Sequence, residues 1–100
     1  METQFAQTIV DEIYAHMQKQ GGKPADWYVG ITDDIDQRLF IDHKVPRQNH
    51  WFAYRKAASA GHARSAEKVF LDYGCDGGGG GGDDKSVYVY AYLKGPNTEP

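Results

Sequence analysis

The sequence predicts a small α+β domain: an antiparallel sheet of strands at about 26–31 and 86–94, covered by about four helices. Strict alternation is the first sign. In 86–94, Val87, Val89, Ala91 and Leu93 alternate with Tyr88, Tyr90 and Tyr92, the period of a pleated strand. The second is the same pattern at 26–31, where Trp27, Val29 and Ile31 oppose Tyr28 and Gly30. Elsewhere apolar residues recur at three- and four-residue intervals between glycines, as helices require. Two strands do not make a stable sheet unaided, so helices must cover the Val/Leu face or a third strand must be present.

Taken in order, Phe5, Ile9, Ile13 and Met17 form one stripe, predicting a helix over 3–19 that Gly21-Gly22 stops and Pro24 keeps from resuming. After the strand at 26–31, Thr32 or Asp33 can cap a helix with Ile35 and Leu39 on its apolar edge. Val45-Pro46 interrupts it, because the residue before proline avoids helical angles. Asn49 can cap a third helix with Trp51, Tyr54 and Ala58 on one side, and Gly61 breaks it. A fourth is expected over 63–73, with Ala63, Ala66, Phe70 and Tyr73 inward and Gly74 as its stop. Six glycines at 77–82, flanked by Asp76, Asp83 and Asp84, predict a mobile connector over 76–84. A phosphate cradle is the other use of glycine amides, but the flanking carboxylates oppose it and no Lys-Ser or Lys-Thr pair completes a P-loop. The tail at 95–100 lacks a core-forming pattern and is expected to be loose.

The 100 residues allow a single domain over 1–100, and the mean hydropathy of −0.68 is that of a small soluble globule. No apolar run is long enough to span a membrane, and Glu2, Asp11 and Glu12 do not suit a secretory leader. With Cys75 alone, neither an internal disulfide nor a multi-cysteine zinc site is available, and a reducing cytoplasm is the expected compartment. The net charge of −3 conceals a polarised chain. Between Arg38 and Lys68 seven basic residues face two acidic ones, whereas the rest holds four basic and twelve acidic. A polyanion responds to local potential, so this segment is either a nucleic-acid surface or an ordinary solvated face.

Both strands place tyrosine opposite their aliphatic face. If they pair, Tyr28 and the tyrosines of 86–94 share one surface, either as aromatic fill of a pleated sheet or as the floor of a site. The run from Trp27 to Leu39 resembles the second half of the GIY-YIG nuclease signature. A Tyr28-Val29-Gly30 strand leads through a polar turn to a helix bearing Arg38, eight residues after Gly30. The resemblance implies a GIY-YIG-like fold and a metal-dependent endonuclease acting on nucleic acid, DNA before RNA. Gly30 would leave room above the sheet for a backbone or ligand, and Arg38 would bind a phosphate in bidentate fashion. The segment 63–71 looks like the family's later helix, with Glu67 in the position that holds Mg²⁺ or Mn²⁺. Otherwise Glu67 is a surface residue paired with Arg64 or Lys68.

Family members also carry histidines after the arginine. His43 and His50 are the candidates, although His43 follows Arg38 by five residues and so faces differently from a four-residue spacing. The chain departs from the pattern in having a helix where a Gly-Ile-Tyr strand should precede Tyr28. Tyr88 or Tyr90 could replace the missing tyrosine if the last strand pairs beside Tyr28. The expected catalytic set is Tyr28, Arg38, His43, Tyr88 and Tyr90, with Glu67 for metal. Gly30, Arg47, His50, Arg55 and Lys56 are the expected nucleic-acid contacts, with Trp51 and Tyr54 available for stacking on bases. The alternatives are a non-catalytic nucleic-acid-binding module on the same fold, or a domain that binds a protein partner through its acidic remainder and exposed aromatics.

Overall fold

A computed structural model describes residues 2–78 and 83–100. The chain runs through β1 (Thr3–Gln4), α1 (Ala6–Gln20), a 3₁₀ turn at Pro24–Asp26, β2 (Trp27–Thr32), a π-helical segment at Asp36–Asp42, β3 (Phe52–Ala57), α2 (Ala60–Tyr73) and β4 (Tyr88–Leu93). The strands form one mixed sheet in the order β1-β3-β4-β2. β4 pairs antiparallel with β2 on one side and β3 on the other, while β1 lies parallel to β3. The fold is therefore α+β, and the predicted pairing of the two tyrosine strands is present.

Alternation divides the sheet into two faces. Trp27, Val29, Ile31, Ala53, Ala57, Val89 and Ala91 point to one side, where α1 contributes Ile9, Ile13 and Met17 and α2 contributes Ala63, Ala66 and Phe70. Full burial of a large apolar side chain is worth about 1.5–3 kcal/mol, so this layer is the main source of cohesion. The opposite face is aromatic. Tyr90 and Tyr92 are buried there with Ile35, Leu39 and Val45, and Tyr28, Phe40, Phe52, Tyr54 and Tyr88 pack around them.

Several expectations require correction. The helix predicted after Asn49 is the strand β3. Its alternation of Ala53, Arg55 and Ala57 against Phe52, Tyr54 and Lys56 is hidden by small and charged residues that resemble helix formers. Asn49 adopts a left-handed conformation (φ 58°) and caps nothing. Two α-helices, a π segment and a short 3₁₀ turn replace four helices among the described residues. α1 starts at Ala6, after a short strand, so Phe5 falls outside the buried stripe and is 66% exposed against the ring of His62. α2 starts earlier than expected, capped by Ser59, whose hydroxyl accepts the His62 N–H, and Gly61 lies in its first turn. Tyr73 faces outward and bonds to Tyr14. Gly21 (φ 83°) and Gly74 (φ 114°) end α1 and α2 in the left-handed conformation as predicted.

Of the connector expected over 76–84, residues 79–82 lie outside the described residues. Asp76 is fixed to the outer edge of β2: its carbonyl accepts the Val29 N–H at 2.8 Å, and its N–H reaches the Trp27 carbonyl at 2.8 Å. The tail is bonded as well, through a turn at 95–98 and a Glu99 N–H donating to the His43 carbonyl at 2.7 Å.

Candidate functional site

The site begins with a missing side chain. Gly30 stands opposite Tyr90 in the β2–β4 register, and a Cβ at Gly30 would lie 2.6 Å from Cζ of that phenol. The space that Gly30 was expected to leave for a ligand is therefore filled by Tyr90, which lies across the strand. This directs the Tyr90 hydroxyl over β2, the outermost strand of the sheet.

The π-helical segment forms next to it. Thr32 Oγ1 accepts the Asp34 N–H at 3.0 Å, and Asp34 Oδ1 accepts the Gln37 N–H at 3.1 Å, so the cap is Asp34 and not Thr32 or Asp33. The winding then widens: the His43 N–H bonds to the Arg38 carbonyl, five residues back, at 3.0 Å. In a π turn, residues five apart stack on one side. The spacing of Arg38 and His43, awkward for an α-helix, is the spacing this segment needs.

His43 is 5% exposed and is the hub of the aromatic face. Its Nδ1 lies 2.6 Å from the Glu99 carbonyl and its Nε2 lies 2.8 Å from the Tyr90 hydroxyl. A carbonyl oxygen only accepts, so Nδ1 carries the proton. Burial lowers the proton affinity of the ring, which leaves Nε2 unprotonated near neutrality and able to accept from Tyr90. Tyr92 donates to the same Glu99 carbonyl at 3.3 Å. The rings of Tyr28 and Tyr92 stack at 5.3 Å, and Tyr28 also lies 4.7 Å from the imidazole.

Burial raises the pKa of the Tyr28 phenol, and Asp76 adds to the effect. Arg38 and an N–H donated by Gly78 act in the opposite direction. Burial, with Tyr28 alongside, pushes Tyr90 far above the ordinary phenol range, again opposed by Arg38. Glu67 on α2 also acts on both phenols. It is 6% exposed, and burial raises its pKa while Arg64 lowers it. Tyr28 and Tyr90 thus feel the fields of both Arg38 and Glu67, although α2, which carries Glu67, packs on the aliphatic face and the segment bearing Arg38 on the aromatic one. Arg38 is half-exposed and makes a loose 3.8 Å ion pair with Asp42, which leaves the guanidinium able to exchange partners.

The remaining candidates are dispersed. Tyr88 pairs with Thr32 and Lys56 and lines a separate cavity of about 290 Å³ with Asp33, Asp34, Ile35, Asp36 and Tyr54. Lys56 shares the aromatic face, 5.8 Å from the Tyr88 ring. Arg55 points to the opposite face, where it donates to Glu12 at 2.8 Å. Arg47 stacks on Phe40 at 4.1 Å and pairs with Asp36 at 3.5 Å. His50 Nε2 lies 2.8 Å from the Leu93 carbonyl. The expected binding set therefore does not form one surface. A cavity of about 250 Å³ beside Trp27 and the end of α1 holds none of the predicted site residues.

Two members of the network were not in the predicted set. Tyr92 sits on the same strand face as Tyr90, a signal that was visible. Glu99 acts through its backbone carbonyl, which no side-chain pattern announces.

Among the described residues no group of three or more His, Cys, Asp or Glu side chains could hold a metal ion. Glu67 fits the narrower role of a single carboxylate ligand: it is buried and would gain from a cation that offset its desolvation. An octahedral Mg²⁺ would take its other ligands from water and substrate. The chain matches no family model, no curated protein and no solved structure in comparisons with each. Among the described residues no helix is long and apolar enough to cross a membrane.

Proposed function

We propose that the domain binds a nucleic-acid phosphodiester, DNA before RNA, at the β2 edge and hydrolyses it in the manner of a GIY-YIG-like nuclease. The supporting observation is that two phenols, Tyr28 and Tyr90, lie within the fields of both the Arg38 guanidinium and the Glu67 carboxylate. Arg38 exchanges Asp42 for a phosphate and stabilises the charge that grows on it. Glu67 would hold a Mg²⁺ or Mn²⁺ ion, which when bound supplies charge neutralisation at the phosphate. Tyr28 and Tyr90 orient the attacking water. In this reading the first tyrosine of the family pattern is replaced by Tyr90, supplied by the last strand. The single thiol, Cys75, fits a reducing cytoplasm; it is buried, and its pKa is pushed up to about 11.

The test is incubation with single-stranded, duplex and branched DNA in Mn²⁺ or Mg²⁺. Cleavage is expected, with Arg38→Ala and Glu67→Ala each lowering it by about 10²-fold or more. Equal cleavage by these variants would overturn the assignment. The burial that keeps both phenols neutral favours a second reading, a binding module without turnover. It requires salt-sensitive binding and no metal-dependent cleavage. Absence of any nucleic-acid binding would overturn both and leave a protein partner as the occupant to seek.

A further inference from the structure

We propose that residues 95–99 form a positioning strap, in which the backbone carbonyl of Glu99 holds His43 in one tautomer so that Tyr90 hands its proton inward. The inference rests on the hydrolytic reading for its chemistry but not for its geometry. The strap is held at several points. Thr98 closes a turn on Gly95, its N–H reaching the Gly95 carbonyl at 3.1 Å and its hydroxyl accepting the Gly95 N–H at 2.9 Å. The Glu99 N–H donates to the His43 carbonyl at 2.7 Å, and the Glu99 carboxylate pairs with Lys44 at 3.1 Å. The Glu99 carbonyl is thereby fixed 2.6 Å from Nδ1 of the buried imidazole. Because that oxygen cannot donate, Nδ1 must, and the lone pair is left on Nε2 facing Tyr90 at 2.8 Å.

The consequence is a directed proton path. Tyr90 is too strongly buried to wait as a tyrosinate, and with its O–H committed to Nε2 the hydrolytic reading requires substrate binding to uncover its oxygen, since the residue is 2% exposed. As water attacks phosphorus, the water O–H bond breaks and a new Tyr90 O–H bond forms. The original Tyr90 O–H bond breaks, its proton joins Nε2, and its electrons remain on the phenol oxygen. The electron pair released from water forms the bond to phosphorus, and the leaving oxygen departs with the pair from the broken P–O bond. The imidazolium so formed donates to Glu99 through Nδ1–H and to Tyr90 through Nε2–H, and returns its proton to the leaving oxygen or to solvent. Tyr90 ends as it began, so no free tyrosinate is needed. Glu99 touches no substrate; it is a positioning residue acting through its main chain.

The experiment reads the tautomer directly. In the full chain labelled with ¹⁵N-histidine, long-range ¹H–¹⁵N spectra assign His43 by its disappearance in His43→Gln. Neutral His43 is expected as the Nδ1–H form, and Glu99→Gln, which loses only the exposed Lys44 pair and keeps the main-chain anchors, should retain that form. A chain ending at Thr98 should show a mixed or reversed tautomer, with any cleavage rate lowered at least tenfold. An Nε2–H tautomer in the intact chain overturns the proposal, as does an unchanged tautomer in the shortened chain. The intact chain carries the decisive reading even where the shortened one fails to fold. Tautomer switching in a protein that cuts nothing would support the strap and overturn the hydrolytic reading alone.

Discussion

Tyr90 lies across Gly30, so close that any β-carbon at position 30 would collide with the phenol hydroxyl and its Cζ. A glycine that looks like a vacancy for a ligand in the sequence is half of an intramolecular fit. The other half is the aromatic side chain that reaches the sheet edge because nothing stands in its way.

Gly30→Ala should therefore destabilise the fold by about 1–3 kcal/mol, as overpacking of a filled site does. Urea denaturation measures it. Combining the change with Tyr90→Leu should recover part of the loss, since a shorter side chain vacates the clash. Strictly additive losses would show that the two residues do not compete for the same space.

Glu67 gives the opposite sign. Burial raises its folded-state pKa above the unfolded value, so the native state binds more protons through that window. Stability then falls as pH rises across it, and the charged carboxylate is a cost at neutral pH. Glu67→Gln should stabilise the metal-free protein at pH 7 by about 0.5–2 kcal/mol while impairing activity, and the gain should vanish below about pH 4. Thermal melts at several pH values test this; a destabilised Gln variant at pH 7 would contradict it.

The imidazole predicts an acid-sensitive fold. Burial holds His43 below its ordinary pKa and Arg38 adds to this, while the Glu99 carbonyl and Asp42 act oppositely. Tyr28, Tyr90 and Tyr92 are the other titratable groups packed on the ring. Below about pH 6.5 the unfolded chain takes up a proton that the native ring resists. The stability from neutral His43 is therefore complete above that pH and is lost as pH falls through the folded value. His43→Gln should be less stable at pH 7 yet show a shallower decline on acidification. His16, also shifted down by burial, leaves a residual slope. Parallel pH curves for variant and wild type would refute the assignment.

The two faces of β3 distinguish neighbouring cations. Lys56 lies on the aromatic side, whereas Arg55 is bonded to Glu12 beneath α1. Lys56→Ala should weaken DNA binding and lower the slope of log affinity against log salt by about one, with Arg55→Ala changing that slope little. Titrations at three salt concentrations suffice, and equal effects would mean that the duplex contacts both faces.

The sequence made legible what depends on local periodicity: β2, β4, α1, α2, their glycine stops and the clustering of tyrosines on one face. It concealed β3, because Ala53, Arg55, Lys56 and Ala57 carry no β-propensity of their own and become a strand only through pairing with β4. Tyr28, Arg38 and Glu67 were singled out by the resemblance to a family motif, and the fields of Arg38 and Glu67 reach Tyr28. The role of five-residue spacing was not visible, since it depends on a π winding that side-chain pattern does not encode. The tail was misjudged for a related reason: its attachment to His43 runs through main-chain atoms at 99, which are the same for any residue.

The sheet order has a consequence for assembly. Among the described residues β4 comes last of the strands, occupies an interior place and is the sole bridge between β2 and β3. A nascent chain still holding residues 88–93 inside the ribosome has two strands without a common mate, and its aliphatic surface remains uncovered. Closure must wait for β4, so the domain is expected to collapse in one late step once residues 88–93 are free to pair. Ribosome-tethered chains lengthened one codon at a time should stay protease-sensitive until Leu93 clears the exit tunnel.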